Sequence, residues 1–262
     1  VLRETIRMLQ PAMLELHQHM KTAGVIAQSF RQTPSLGFRH NQVKPGKNPF
    51  ARWRRYRRHA PLSRIAFVSD FSRRHFVEHY PALQDKAVVA LNGLDAAAFT
   101  YAPGAKEKIV LYAGRVIPTK GVLEFVAGAR EALKEAPDWK VVVVGGTDPG
   151  FEDYCTAVVA EMKTLGDQGT FLGHRPFTEV MDLYHRAEIA AVPSNWDEPF
   201  GRTALEAMAN GAALISSGRG GLREVSGDAA QYLNAVTPDD IEGAIRTLIS
   251  DDAARLHLQQ SG

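Results

Sequence analysis

The chain has 262 residues, of which 45% are apolar and 23% charged, a composition that excludes disordered and fibrous classes and leaves room for one large or two modest folded domains. A single cysteine, Cys155, excludes an intrachain disulfide and fits a reducing compartment, and no apolar run approaches the roughly 20 residues of a membrane-spanning helix. The net charge of +2 hides a division: residues 1–100 carry 16 of the 31 Lys and Arg but 6 of the 29 Asp and Glu, as expected of two domains with different partners.

In chain order, the pattern predicts a helix over 1–9 ended by Pro11, a strand over 12–16, a helix over 21–30 and an extended segment over 35–38. A basic helix follows over 50–59, then a buried strand over 65–68, a helix over 71–79 capped by Ser69 or Asp70, and a short strand over 87–91. Residues 101–108 lack apolar periodicity and contain Pro and Gly, so they read as a linker between domains at 1–100 and 109–262. The second domain alternates strands at 109–113, 140–144, 170–172, 189–192, 213–216 and near 230–233 with helices at 121–135, 151–164, 177–187, 201–210, 238–249 and 251–260. Such alternation predicts an α/β fold with parallel sheets, and the all-valine run at 141–144 reads as a strand buried on both faces. Both ends of the chain break off in mid-pattern, which suggests a trimmed or partial chain.

Ligands of open parallel sheets bind beyond the carboxyl ends of the strands, so the loops there are the candidates. Gly114-Arg-Val-Ile-Pro-Thr-Lys-Gly121 follows the strand at 109–113. Arg115 offers a planar fork of donors and Lys120 a point charge, a pair able to hold a diphosphate and stabilise it as a leaving group, or simply two surface cations. Gly145-Gly146 allows another close approach, without the spacing of a dinucleotide fingerprint or a P-loop. His174 and Arg175 end the next strand, where a base could lie against the backbone or a solvated turn could stand. In the stretch 195–211, Glu198 precedes a helix and Glu206 lies nearly two turns into it. The N–H groups of Phe200, Gly201 and Arg202 between them would attract an anion. Two carboxylates around an anion site suit a ligand charged in the middle and hydroxyl-rich at both ends, the shape of a nucleotide-sugar. The plain alternative is a surface helix with solvated glutamates.

Residues 44–58 combine seven cations with Phe50, Trp53 and Tyr56 at i, i+3 and i+6. They read either as a peripheral contact with anionic membrane or as a helix that packs its aromatics inward and solvates its arginines, and nucleic acid would need more than one such helix. His17, His19 and His40 follow strand-like runs but lack an acidic residue at ligand spacing, so no metal and no cofactor are expected. Cys155 reads as a packed helix residue.

Taken together, the stretches 112–121, 171–173, 192–201, 204–211 and 220–224, with 39–41, 68–72 and 91–95 more loosely, make the chain resemble the retaining glycosyltransferases of family 4. The resemblance implies the GT-B fold, two Rossmann-like domains of which the first is incomplete here. It also implies roles. Gly114, Arg115 and Lys120 would hold the donor diphosphate, Gly145, His174 and Arg175 would line the donor site, and Glu198 would contact the sugar hydroxyls. Phe200, Gly201 and Arg202 would add backbone contacts, Glu206 would bind the ribose, and His40 would face the sugar. The implied reaction is metal-independent transfer of a sugar, with retention, from a nucleotide diphosphate to a glycan or lipid-linked acceptor. Bacterial surface polysaccharide synthesis at the cytoplasmic side of the membrane is the expected setting. A nucleotide-sugar epimerase of the same fold and an inactive donor-binding fragment are the alternatives.

Overall fold

The computed structural model describes residues 1–95 and 106–262, which divide into two units, Val1–Asn92 and Gly93–Gly262. The first is a four-stranded parallel sheet in the order β1-β2-β3-β4, made of Leu14–His17, Ser35–Arg39, Arg64–Phe67 and Ala87–Val89. Its helices are α1 (Leu2–Leu9), α2 (Met20–Ser29), α3 (Pro49–His59) and α4 (Asp70–His79). Leu62, Ile65, Phe67, Phe76 and Leu83 form its core. The Ser69 hydroxyl accepts the Ser72 N–H at 3.0 Å, so the expected cap of α4 is the serine.

The second unit is a six-stranded parallel sheet in the order β10-β9-β8-β5-β6-β7. Its strands are β5 (Glu107–Ala113), β6 (Lys140–Val144), β7 (Gly169–Gly173), β8 (Ala187–Val192), β9 (Ala213–Ser216) and β10 (Ala230–Tyr232). The helices are α5 (Val122–Leu133), α6 (Glu152–Lys163), α7 (Phe177–Arg186), α8 (Arg202–Ala209), α9 (Leu222–Ser226), α10 (Pro238–Ser250) and α11 (Asp252–Ser261). Successive side chains of a strand point to opposite faces, and here both faces are covered. Val110 and Tyr112 of β5 join Val141, Val143, Phe125 and Ile241 on one side, while Ile109, Leu111 and Ala113 join Val142, Val144, Ala204 and Leu214 on the other.

The chain runs outward from β5 through β6 to β7, then returns to the far side of β5 as β8. The strand order therefore reverses between β5 and β8, and the two loops leaving their carboxyl ends diverge and open a crevice.

Most expected elements appear within two residues. The linker differs: β5 begins at Glu107, and Lys106 donates from Nζ to the carbonyls of His185 (2.8 Å) and Asn210 (2.9 Å), so 106–108 belong to the second unit. Residues 101–105 of that linker lie outside the described residues. A 3₁₀ turn at Pro81–Lys86 and the helix α9 were not expected, both being too short to show a helical period.

Candidate active site

At the switch point lies a cavity of about 210 Å³, lined by Tyr112, Gly114 and Arg115 from the end of β5, Val192 and Ser194 from the end of β8, and Lys120 among others. Lys120 closes a 3₁₀ turn, Pro118–Lys120, ahead of α5. Its ammonium does not stand free. It donates to Glu198 Oε1, which also accepts the Ser194 hydroxyl at 2.6 Å, and it lies 5.6 Å from the centre of the Trp196 ring. The two charged side chains are only 17% and 9% exposed, so the pair sits in a medium of reduced polarity where each charge depends on the other.

Arg115 is also engaged. Its Nη1 bonds Asp148 Oδ2 at 2.6 Å, with both side chains about half exposed. The loop itself is held from below: the Tyr112 hydroxyl donates to the Arg115 carbonyl at 2.7 Å, and burial keeps that phenol well above its usual range. Gly145 supports the same loop. At φ +147°, a Cβ there would stand 1.7 Å from the Gly114 carbonyl oxygen. The close approach expected at Gly145 is therefore made by the Gly114 backbone.

Glu198 stands in a loop pinned to the Gly-rich turn, since its carbonyl accepts the Gly221 N–H at 2.7 Å. α8 starts at Arg202, one residue later than expected, so Glu206 lies a little over one turn in. Gly201 takes φ +115° as its N-cap, and the space a side chain would need is filled by Leu222. Glu206 is 7% exposed; burial raises its pKa, against the pull of Arg202, whose Nε donates to it at 2.8 Å. Phe200 is buried. His174 and Arg175 follow β7 outside the cavity, Arg175 in a 3.6 Å pair with exposed Glu179.

His40 belongs to the first unit and stacks on Phe38 and His17. Glu15 Oε1 lies 2.8 Å from His17 Nε2, and His17 Nδ1 lies 2.9 Å from His40 Nε2. A carboxylate only accepts, so His17 donates from Nε2, His40 donates to His17, and His40 Nδ1 is left with its lone pair. Burial, His17 and Arg39 lower the His40 pKa, favouring the neutral ring this relay requires. The expectation that no acid stands by these histidines is corrected by Glu15. Among the described residues, no group of three or more His, Cys, Asp or Glu is placed to hold a metal ion.

The basic helix departs from its inward-packed reading. Phe50 and Trp53 of α3 are 67% and 51% exposed and stack at 5.9 Å, with Arg57 over Trp53, and only Tyr56 packs on the core. No described helix is long and apolar enough to cross a membrane.

Sequence reasoning passed over Ser194, Asp148 and Tyr112. Ser194 stood inside a quoted motif, but its partner is fixed only when β8 and the Glu198 loop are folded. Asp148 lies 33 residues from Arg115 and carries no local signal.

Comparison with known proteins identifies the family and the fold. Curated relatives include the D-inositol 3-phosphate glycosyltransferase of Kineococcus radiotolerans, 30% identical over 73% of this chain and 50% of the relative. The glycogen synthase of Mycobacterium tuberculosis is 33% identical over 66% of this chain and 42% of its own length. The chain thus spans about half the length of the curated relatives it matches. Among solved structures, Anabaena HepE in complex with UDP and glucose superposes with a TM-score of 0.79 at 18% identity, covering 99% of this chain and 74% of HepE, a likeness of fold. Residues 96–262 match the family described as Glycosyl transferases group 1, which spans the whole six-stranded sheet and the crevice between β5 and β8. The chain belongs to the group 1 glycosyl transferases.

Proposed function

We propose that the second unit binds a nucleoside diphosphate sugar at the β5/β8 crevice, and that the protein moves the sugar, with retention, to a glycan or lipid-linked acceptor. The buried Lys120–Glu198–Ser194 cluster carries this reading. A cation that lines the cavity and the carboxylate it holds offer a diphosphate its counter-charge and a sugar its hydroxyl acceptor. On binding, the diphosphate takes Lys120 and Arg115 from Glu198 and Asp148, and Glu198 turns to the sugar. The two cations stabilise the departing diphosphate, the step in which charge develops. Glu206, buried and one turn along α8, takes the ribose hydroxyls. The reading needs no metal, because two side chains meet the diphosphate charge.

UDP and glucose, bound by the structurally similar HepE, are the first probes to try. A thermal-shift series with UDP, GDP, ADP and their glucose conjugates should give a saturable rise with one base, larger for the sugar conjugate. No shift with any of them would overturn the assignment of the crevice.

For the setting, we propose peripheral contact with anionic membrane on the cytoplasmic side, in surface polysaccharide synthesis. Exposed Phe50 and Trp53 beside the arginines of α3 support it. Unchanged binding to anionic vesicles after Arg54→Ser and Arg57→Ser would remove that support.

A further inference from the structure

The first unit has a cavity of its own, about 220 Å³, walled by Gln18 and Lys21 at the start of α2, Arg39 at the end of β2, and Arg55, Arg58 and His59 on one face of α3. Four of these six are cations, and none of the residues lining the cavity is acidic. Among the described residues, Lys21, Arg39, Arg55 and Arg58 form no ion pair.

Two groups on its wall carry buried polar atoms with unmet hydrogen bonds. The Arg39 guanidinium bonds the Gln18 carbonyl at 3.3 Å through Nη1, while its Nε is buried with no partner. Burial and the nearby Arg55 both act against its charge. His59 is 3% exposed. Its Nδ1 lies 2.8 Å from the Arg55 carbonyl, which can only accept, so the proton sits on Nδ1 and Nε2 is left as a buried acceptor without a donor. A half-buried cation without a counter-charge beside a second cation is costly, and so is an unmet buried acceptor. The first cost is relieved if a ligand supplies negative oxygens. The first turn of α2, a ten-residue helix, adds backbone N–H groups on the same wall.

We propose that this cavity binds a phosphate monoester. Its oxygens take the guanidinium forks of Arg39, Arg55 and Arg58. The site lies wholly within the first unit and stands independently of the donor reading.

The test uses the whole chain with inorganic phosphate, glycerol phosphate, and phosphatidylcholine vesicles with and without phosphatidate. Glycerol phosphate should raise the Tm saturably, and Arg39→Gln and Arg58→Gln should each weaken it at least tenfold. A structural role for Arg39 predicts a lower Tm for Arg39→Gln without ligand. An anion site predicts an unchanged or higher one, because an unmet buried charge is removed. UDP binding reports the second unit and should be the same in both variants, so failure here is separable from failure of the donor assignment. Phosphatidate-dependent vesicle binding, lost in both variants, would assign the phosphate to a lipid headgroup; binding of glycerol phosphate with no vesicle preference would assign it to a soluble molecule. Absence of saturable binding of any of the three, or binding undiminished in both variants, overturns the proposal.

Discussion

Lys120 and Glu198, 78 residues apart in sequence, neutralise each other in the interior of the second unit, and on the proposed reading each is the group the other must leave for a donor to bind. This exchange can be measured. Glu198→Gln should keep or raise affinity for UDP severalfold, because Lys120 no longer has a competing carboxylate, and should abolish the extra affinity of the sugar conjugate. Lys120→Met leaves Glu198 buried without its cation, and should lower stability by about 3 kcal/mol and UDP affinity more than tenfold. Titration calorimetry with UDP and UDP-glucose separates the two. Equal losses for both ligands in both variants would reverse the assigned roles.

Glu206 should trade stability for binding. Its pKa is raised in the fold above the usual 4.5 by burial. Between those two values the folded state holds more protons than the unfolded, so stability is full below about 4.5 and declines as pH rises through the folded pKa. Glu206→Gln should therefore melt higher than wild type at pH 7, match it at pH 4, and bind UDP more weakly. Melting curves across that range decide it, and a variant less stable than wild type at pH 7 would contradict the account.

His59 gives the opposite slope. Burial brings it from its usual 6.5 to about 4, so the unfolded chain holds more protons in that window. The first unit should lose roughly 3 kcal/mol as pH falls from 6.5 to 4. In phosphate-free buffer, His59→Gln should flatten this loss, read by tyrosine and tryptophan signals of the first unit.

Gly145→Ala should cost about 2–4 kcal/mol, because its Cβ would meet the Gly114 carbonyl at 1.7 Å and φ +147° strains any other residue. The Gly114–Arg115 loop must move, so UDP affinity should fall with the Tm. Gly146→Ala, whose nearest new contact is His174 Cβ at 3.5 Å, is the control and should be near neutral.

Lys106→Met removes donors from the His185 and Asn210 carbonyls, which end α7 and lie beyond α8. A loss of about 1–3 kcal/mol is expected by chemical denaturation, without change in UDP affinity at low denaturant.

Much of this was legible in the sequence because it is local. The valine run of β6 could only be a strand covered on both faces, and the loop with Arg115 and Lys120 had to leave β5 at its carboxyl end. What could not be read was pairing at a distance. Asp148, 33 residues from Arg115, meets it only because the sheet order sets β6 beside β5, which no spacing records. The same holds for α3. Its aromatic spacing of three is common to a buried and an exposed stripe, and only the packing of α2 against it turned Arg55 and Arg58 to one cavity and left Phe50 and Trp53 outside. Lys106 reads as linker because a polar residue after Pro and Gly looks solvated, while its partners are two helix ends some 80 to 100 residues on.

The Arg115–Asp148 pair has a kinetic consequence. Before any donor arrives, each cation of the crevice is already matched by a carboxylate, so the entrance projects little field into solvent. On the proposed reading an anionic donor would not be drawn in from afar, and its association rate should hardly respond to ionic strength. Discrimination among donors then falls to the lifetime of the complex, which is long only for a ligand able to hold both cations after their carboxylates have turned away.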